Sequence, residues 1–131
     1  MKTLIAIAAS VLAVPLAAQP VLSLPGVSDQ ETTIPFGGIT RFHRGHHDNL
    51  FVLDRAGHWY RLGLNKGCLS GTPRISVVAF DSGAASERID RFTRVIVSGP
   101  GGTLPVNCQL DSIRRSEAPP QFDSNSRVTL D

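Results

Sequence analysis

The residues best suited to chemistry lie in one short segment, 43–48, which consists of His-Arg-Gly-His-His-Asp. Three imidazoles and a carboxylate in so short a stretch are groups that bind Zn²⁺ or Cu²⁺ in exported proteins. Their spacing is not diagnostic, and polar loop residues have the same composition. The candidate metal ligands are His43, His46, His47 and Asp48, with an ordinary solvated loop as the alternative.

The pattern of a nucleophilic enzyme is incomplete. Segment 67–71, Gly-Cys-Leu-Ser-Gly, places Ser70 one position late for the Gly-x-Ser-x-Gly turn of a hydrolase and lacks the strand-then-helix context. Asp81, Glu87 and Asp90 are close enough in sequence for an acid–base pair, but solvated turns and strand edges are the alternative. We therefore expect no catalytic residues, no cofactor and no enzyme.

A binding patch is a further hypothesis for Trp59 and Arg61, which flank Tyr60. An exposed aromatic ring beside an arginine is suited to binding sugars or peptides. In the alternative, Trp59 closes the second face of a β-hairpin and is not exposed. The sequence leaves both interpretations open.

Residues 1–18 have the pattern of a secretory signal peptide. Lys2 provides a positive start, an apolar run extends from Leu4 to Val14, and Ala18 precedes the expected cleavage site. The apolar run is shorter than the roughly 20 residues that a membrane anchor needs. We therefore expect a periplasmic or secreted protein without a membrane span, and without the cysteine that a lipoprotein carries at its cleavage site.

Export also bears on the two cysteines, Cys68 and Cys108. An oxidising compartment favours one intramolecular disulfide between them. The two cysteines are 40 residues apart. Closing a loop of that length stabilises a small domain by roughly 4 kcal/mol in the loop-entropy model. Free or catalytic thiols are the alternative, but the chain has no Cys-x-x-Cys motif. The sequence therefore predicts a structural disulfide.

The charge balance excludes several classes of partner. The chain has 13 Lys+Arg and 11 Asp+Glu, and removal of Lys2 with the signal peptide leaves 12 against 11, a net charge of +1. Such a balance gives no electrostatic footprint for nucleic acid and no polybasic membrane patch. The length suits one domain and leaves no room for separate cofactor and substrate domains.

Composition divides the mature chain into three parts. Residues 19–33 contain two prolines and polar side chains, and they predict a flexible leader. Residues 117–131 contain Pro119-Pro120 and the polar run Asp123 to Ser126, and they predict a disordered tail. The folded β-domain is expected over residues 34–116.

Within 34–116, short segments rich in Val, Ile, Phe and Thr alternate with Gly, Pro, Asp and Asn. This spacing predicts an all-β fold, a small antiparallel barrel or sandwich of about six short strands. Only segment 84–89 has helical character, for one or two turns at most. The strand candidates are 39–43, 49–54, 58–64, 75–80, 92–97 and 107–113.

The clearest local signal is a hairpin turn from Asp54 to Gly57. Asp at the first position and Gly at the fourth are typical of a type I turn followed by a left-handed glycine. The turn sets the register of the two strands, so that one face becomes core and the second is apolar enough to be partly covered. The first face carries Leu50, Val52, Tyr60 and Leu62, and the second carries Phe51, Leu53, Trp59 and Arg61.

A series of short pieces occurs in a fixed order along the chain: segment 34–42, segment 54–64 with its Trp-Tyr-Arg, Gly67-Cys68, segment 89–92, segment 95–97 and Cys108. Together they resemble a family of short exported proteobacterial proteins, catalogued as domain of unknown function number 6491. The resemblance covers roughly residues 34–116 and implies a bacterial envelope location and a small β-rich domain. It implies no activity, because none is established for the family. Many members look like lipoproteins with a Cys at the cleavage site, which this chain lacks.

The sequence thus favours a small exported non-enzymatic β-domain, a binding or structural module of the envelope or periplasm. Its partner, an envelope component or a small ligand, is not identified by any motif. The first alternative is a periplasmic metal-binding protein that uses the His-rich loop. A small hydrolase is the third hypothesis.

Overall fold

The structure is a computed structural model that describes residues 23–35, 38–83 and 87–130. All regular elements in those ranges are β-strands, and all strand pairs are antiparallel, so the predicted all-β class is confirmed. The expected signal peptide, 1–18, lies outside the described residues. The strands are β1 (Val27–Glu31), β2 (Ile39–Arg44), β3 (Asn49–Asp54), β4 (Trp59–Leu64), β5 (Val77–Asp81), β6 (Arg94–Ser98) and β7 (Val106–Ser116).

The strands form a nearly closed antiparallel barrel in the order β2-β3-β4-β7-β6-β5, and β1 is added beside β7. Strand β7 is shared by both halves of the barrel. Residues 106–109 pair with β6, and residues 110–116 pair with β4 on the other edge. Strand β1 pairs with the end of β7, at Arg114 and Ser116.

Strands β3 and β4 form the predicted hairpin in the predicted register. Val52 lies opposite Tyr60, and Leu50 lies opposite Leu62. Gly57 has a φ of +84°, and its N–H donates to the carbonyl of Asp54 at 3.2 Å. A left-handed conformation of this kind favours glycine, which explains why the turn chemistry fixes the register.

The barrel interior is filled mainly by aliphatic side chains from these strands. Leu50, Val52 and Leu62 are completely buried, and Tyr60 is 3% exposed. Connecting segments contribute as well, because Ile34, Leu69 and Ile89 are also completely buried. The remaining members of the core come from β4, β6 and β7: Leu64, Val95, Val97, Cys108, Leu110 and Ile113.

Cys68 and Cys108 are bonded to each other, as predicted, with 5.8 Å between their Cα atoms. Cys108 belongs to β7 and is completely buried, whereas Cys68 lies in the loop that follows β4. The disulfide therefore fixes this irregular loop against the strand that both halves of the barrel share.

The expected flexible leader differs from the structure, because Val27–Glu31 forms β1. Val27 is paired with Ser116 and Glu31 with Arg114. Extended chain without internal hydrogen bonds can be ordered by a strand edge that offers unpaired N–H and C=O groups. The end of β7 provides such an edge.

The expected disordered tail also differs from the structure in the residues that are described. Pro119 is buried and Val128 is 2% exposed. Val128 forms a second, smaller core with Phe51 and Trp59, which project from the face of the hairpin opposite the barrel interior. That face is apolar, so covering it with the tail removes apolar surface from water.

Three smaller differences concern the connections. Strand β5 begins at Val77, two positions later than expected, and β6 begins at Arg94 because residues 90–93 form a turn. Of the segment expected to be helical, 84–86 lies outside the described residues, and Ile89 forms an isolated antiparallel bridge with Ile34.

No helix in the described ranges is long and apolar enough to cross a membrane.

The hairpin register predicts opposite outcomes for two neighbouring substitutions. Tyr60→Ala should lower the free energy of unfolding by about 3 kcal/mol or more, because the ring is in the core. Arg61→Ala should change it by less than about 1 kcal/mol, because the half-exposed Arg61 side chain lies on the opposite face. Thermal or urea denaturation measures both values. A larger loss of stability for Arg61→Ala than for Tyr60→Ala would contradict the register.

Ordering of the tail can be tested with two valines that differ in burial. Val128→Ala should lower the free energy of unfolding by about 1–2 kcal/mol, since two buried methyl groups are lost from the second core. Val77→Ala is the control, because Val77 is 53% exposed; its effect should stay within about 0.5 kcal/mol. Equal effects in urea denaturation would show that the tail does not pack on the hairpin.

Candidate functional site

Several candidate residues share one surface on the outside of the barrel. Side chains alternate along a strand, so residues that are directly paired across strands β2, β3, β4 and β7 share a face. We call the face that points away from the barrel interior the outer face. One row across it contains His43, Phe51, Arg61 and Arg114, and the next contains Arg41, Leu53, Trp59 and Ser116.

Trp59 belongs to the second core and not to an exposed patch. Its side chain is 8% exposed, and it packs with Phe51 and Val128. The ring of Phe122, from the tail, stacks on it with 5.5 Å between ring centroids. The structure thus shows the alternative in which Trp59 closes the second face of the hairpin. A binding role for the pair Trp59 and Arg61 stays a prediction, and it cannot use an exposed indole.

His43 and Arg41 surround the same Phe122 ring. The imidazole of His43 meets it edge-on at 4.3 Å between centroids, and the guanidinium carbon of Arg41 lies 5.5 Å from the ring centroid. Burial, followed by the charge of Arg41, lowers the pKa of His43, which favours its neutral form at pH 7. These contacts explain how the tail is held, since aromatic and cation–π contacts both stabilise Phe122 there.

The other two candidate histidines lie in the turn between β2 and β3. The rings of His46 and His47 are 3.8 Å apart, and His47 has a φ of 52°. Among the described residues, no group of three or more His, Cys, Asp and Glu is arranged to hold a metal ion. The structure therefore does not assemble His43, His46, His47 and Asp48 into one ligand set.

Asp48 instead holds the loop that carries Cys68. Its two carboxylate oxygens accept the N–H of Gly67 at 2.7 Å and the N–H of Leu69 at 2.9 Å. The bonds from Leu69 and Gly67 are the main reason why the pKa of Asp48 lies below its ordinary value. A carboxylate that holds the backbone on both sides of the disulfide has a structural role, which the sequence did not indicate.

A second carboxylate, Asp54, organises the hairpin turn. It accepts the N–H of His58 at 2.8 Å and the hydroxyl of Tyr60 at 3.3 Å, and Nδ1 of His58 lies 3.5 Å away. Burial alone would raise the pKa of Asp54, but the His58 N–H, the His58 charge and the Tyr60 hydroxyl together lower it. Burial of the Tyr60 hydroxyl, followed by the charge of Asp54, raises the pKa of Tyr60, so this hydroxyl keeps its proton and donates a hydrogen bond to Asp54.

No sequence pattern identified the turn of residues 90–93, which we call the Phe92 turn. The carboxylate of Asp90 accepts the N–H of Phe92 at 2.8 Å, and the carbonyl of Asp90 accepts the N–H of Thr93 at 3.0 Å. The hydroxyl of Thr93 accepts the N–H of Asp90 at 3.0 Å and lies 3.2 Å from the hydroxyl of Ser82. Asp at the first and Thr at the fourth position were the available signals, but the β-propensity of Phe92 favoured a strand instead.

Phe92 projects from this turn and is 89% exposed. Arg91 and Arg94 flank it and are also exposed. An apolar ring between two cations, on a backbone fixed by hydrogen bonds, is suited to contact with another protein, because aromatic residues and arginine dominate binding hot spots. A shallow groove of about 390 Å³ adjoins the ring and is lined by Arg91, Phe92, Thr93, Arg94, Gln109, Leu110 and Asp111.

The role of Asp48 predicts a pH-dependent effect of its substitution. Asp48→Asn should lower the free energy of unfolding by about 1–2 kcal/mol at neutral pH, because the amide has one acceptor oxygen and no charge. The pKa of Asp48 is lowered in the folded protein. Its stabilisation is therefore present above the ordinary carboxyl pKa and is lost as the pH falls through the folded value.

The difference in Tm between the wild type and Asp48→Asn should consequently be constant above about pH 5 and shrink below about pH 4. Thermal melts of both proteins across that range measure it. A difference that does not change with pH would show that the charge of Asp48 is not what holds the loop.

Comparison with known proteins found no matching family model, no matching curated protein and no matching solved structure. The geometry of the outer face and of the Phe92 turn is therefore the basis for a functional assignment.

Proposed function

We propose that the protein is a small exported, non-enzymatic β-domain that acts as a binding module in the bacterial envelope or periplasm. Its partner contacts the Phe92 turn. The observation that carries this proposal is the 89% exposure of Phe92 on a turn held by Asp90 and Thr93. Burying a Phe side chain contributes roughly 1.5–3 kcal/mol, a stabilisation that this ring supplies to no part of the described fold.

The chemistry of the turn indicates what the partner offers. Because the backbone is already fixed, little conformational entropy is lost when Phe92 inserts into a pocket. Arg91 and Arg94, which are close to Phe92 in sequence and exposed, add positive charge near the ring. The complementary surface is an apolar pocket with acidic residues at its rim, since charge complementarity sets specificity and the rate of association.

Export is supported by two independent features. Residues 1–18 have the signal-peptide pattern, and the bond between Cys68 and Cys108 is of a kind that oxidising compartments favour. The resemblance to exported proteobacterial proteins of unknown function adds the bacterial envelope to the proposal. Membership of that family is part of the proposal.

Two of the three carboxylates considered for acid–base chemistry bond local backbone groups, which supports a non-enzymatic role. Asp90 is bonded to the backbone of the Phe92 turn, and Asp81 accepts the N–H of Gly83 at 3.0 Å. Both therefore act as acceptors for local backbone groups. No contact in the described residues favours the metal-binding alternative or the hydrolase.

Site-specific photo-crosslinking tests the proposal in the exporting bacterium. A photo-reactive phenylalanine analogue at position 92 should give a discrete crosslinked product, because position 92 is at the centre of the proposed contact. The matched control is the same analogue at position 104, since Leu104 is 83% exposed but has no flanking arginine. Phe92→Ala should change the free energy of unfolding by no more than about 0.5 kcal/mol.

Two results would contradict this function. One is the absence of any product at position 92 while the protein is exported and folded. The other is an equal yield of the same product from position 104. A product that depends on Arg91 and Arg94, lost when both are changed to Gln, would show that the charges take part.

A further inference from the structure

Two arginines face each other on the outer face without a bonded acidic partner. Arg61 on β4 and Arg114 on β7 are directly paired, so their Cβ atoms are about 5 Å apart. Neither guanidinium makes a hydrogen bond or a salt bridge to another described residue. Of the 11 acidic residues in the chain, only Asp131 lies outside the described part. Two like charges are thus held together with no counter-charge bonded to them there.

The pair is also partly withdrawn from water. Nε of Arg114 is buried and has no hydrogen-bond partner among the described residues. Burial, followed by the charge of Arg114, lowers the pKa of Arg61. A buried N–H without an acceptor is unfavourable, and such groups are rare in folded proteins. An anion between the two guanidinium groups would provide the acceptor and offset the repulsion.

A serine hydroxyl lies near the two arginines on the same face. Gly63 follows Arg61 on this face and is paired with Ser112, and a Cβ at Gly63 would stand 2.5 Å from the Ser112 hydroxyl oxygen. That hydroxyl makes no hydrogen bond to a described residue. Phe51 is paired with Arg61 on its other side and is 2% exposed. The side chains of Arg61, Arg114 and Ser112 therefore place hydrogen-bond donors on the same part of the outer face.

We propose that Arg61 and Arg114, together with Ser112, bind a phosphate group. A phosphate dianion matches the two positive charges, and its oxygens can accept from both guanidinium groups and from the hydroxyl. A carboxylate carries one charge and two oxygens, so it pairs with one guanidinium and leaves the other uncompensated. This site shares no residue with the Phe92 turn and does not depend on the partner proposed for that turn.

Glu31 provides a substitution that should strengthen phosphate binding. It is paired with Arg114 from β1, is exposed, and makes no ion pair within 4.0 Å. Its negative charge at the edge of the site repels an incoming phosphate. Glu31→Gln should therefore bind phosphate more tightly than the wild type.

Isothermal titration calorimetry of the disulfide-bonded mature protein tests the site, with inorganic phosphate and glycerol 3-phosphate as probes at fixed ionic strength. Arg61→Gln and Arg114→Gln should each weaken binding by about tenfold or more, since each removes charged hydrogen bonds. Ser112→Ala should weaken it by roughly threefold, and Glu31→Gln should strengthen it by a similar factor. The control is Arg74→Gln, which removes one charge from an exposed loop arginine and should leave the affinity unchanged.

Equal affinity for the two probes would identify free phosphate as sufficient, and tighter binding of the ester would identify a phosphate ester; both results support the site. Circular dichroism verifies that each variant is folded. If Arg114→Gln does not fold, the affinity of Arg61→Gln tests the site, because Arg61 is half-exposed. The proposal is overturned if the wild type binds neither probe. It is also overturned if Arg74→Gln weakens binding as much as Arg61→Gln does.

Discussion

Strand β7 is hydrogen-bonded along both edges, to β4 on one side and to β6 and then β1 on the other. Without it, the three-stranded β2–β3–β4 unit and the β5–β6 hairpin would be separate, and an isolated hairpin is marginally stable at best in water. The inward side chains of β7, among them Leu110 and Ile113, fill the core that these hairpins share. The two-sided pairing of β7 is therefore what converts local hairpins into one barrel.

The loop after β4 depends on the same strand, because the backbone hydrogen bonds of its turns leave further N–H and C=O groups that side chains and β7 satisfy. The disulfide joins Cys68 to β7, and Asp48 accepts the N–H groups on either side of Cys68. The guanidinium of Arg44 donates to the carbonyls of Leu69 and Thr72. Two members of the His-rich segment, Arg44 and Asp48, are thus committed to structure, and this accounts for the absence of a ligand set there among the described residues.

What could be predicted from the sequence is what short-range chemistry determines. Asp54 and Gly57 fix the hairpin turn, alternation fixes its faces, and two cysteines allow one intramolecular bond. The ordered conformations of β1 and of the tail could not be predicted in this way. Both segments have the composition of flexible chain, and they are ordered by contacts with residues far away in sequence, such as Val27 with Ser116. The burial of Trp59 follows from the same long-range contacts, through Val128 and Phe122.

The position of the tail also explains why one row of the outer face is covered and apolar while the adjacent row carries charges. Phe122 and Val128 cover the Trp59 row, whereas the adjacent row carries Arg61 and Arg114. Charges beside a buried apolar cluster lie in a medium of lower effective dielectric constant, where both repulsion and pairing with an anion are stronger than in water. The arginine pair is thus unfavourable by itself and favourable with a bound dianion. The packing that stabilises the hairpin therefore also contributes to the proposed binding of a phosphate dianion by this pair.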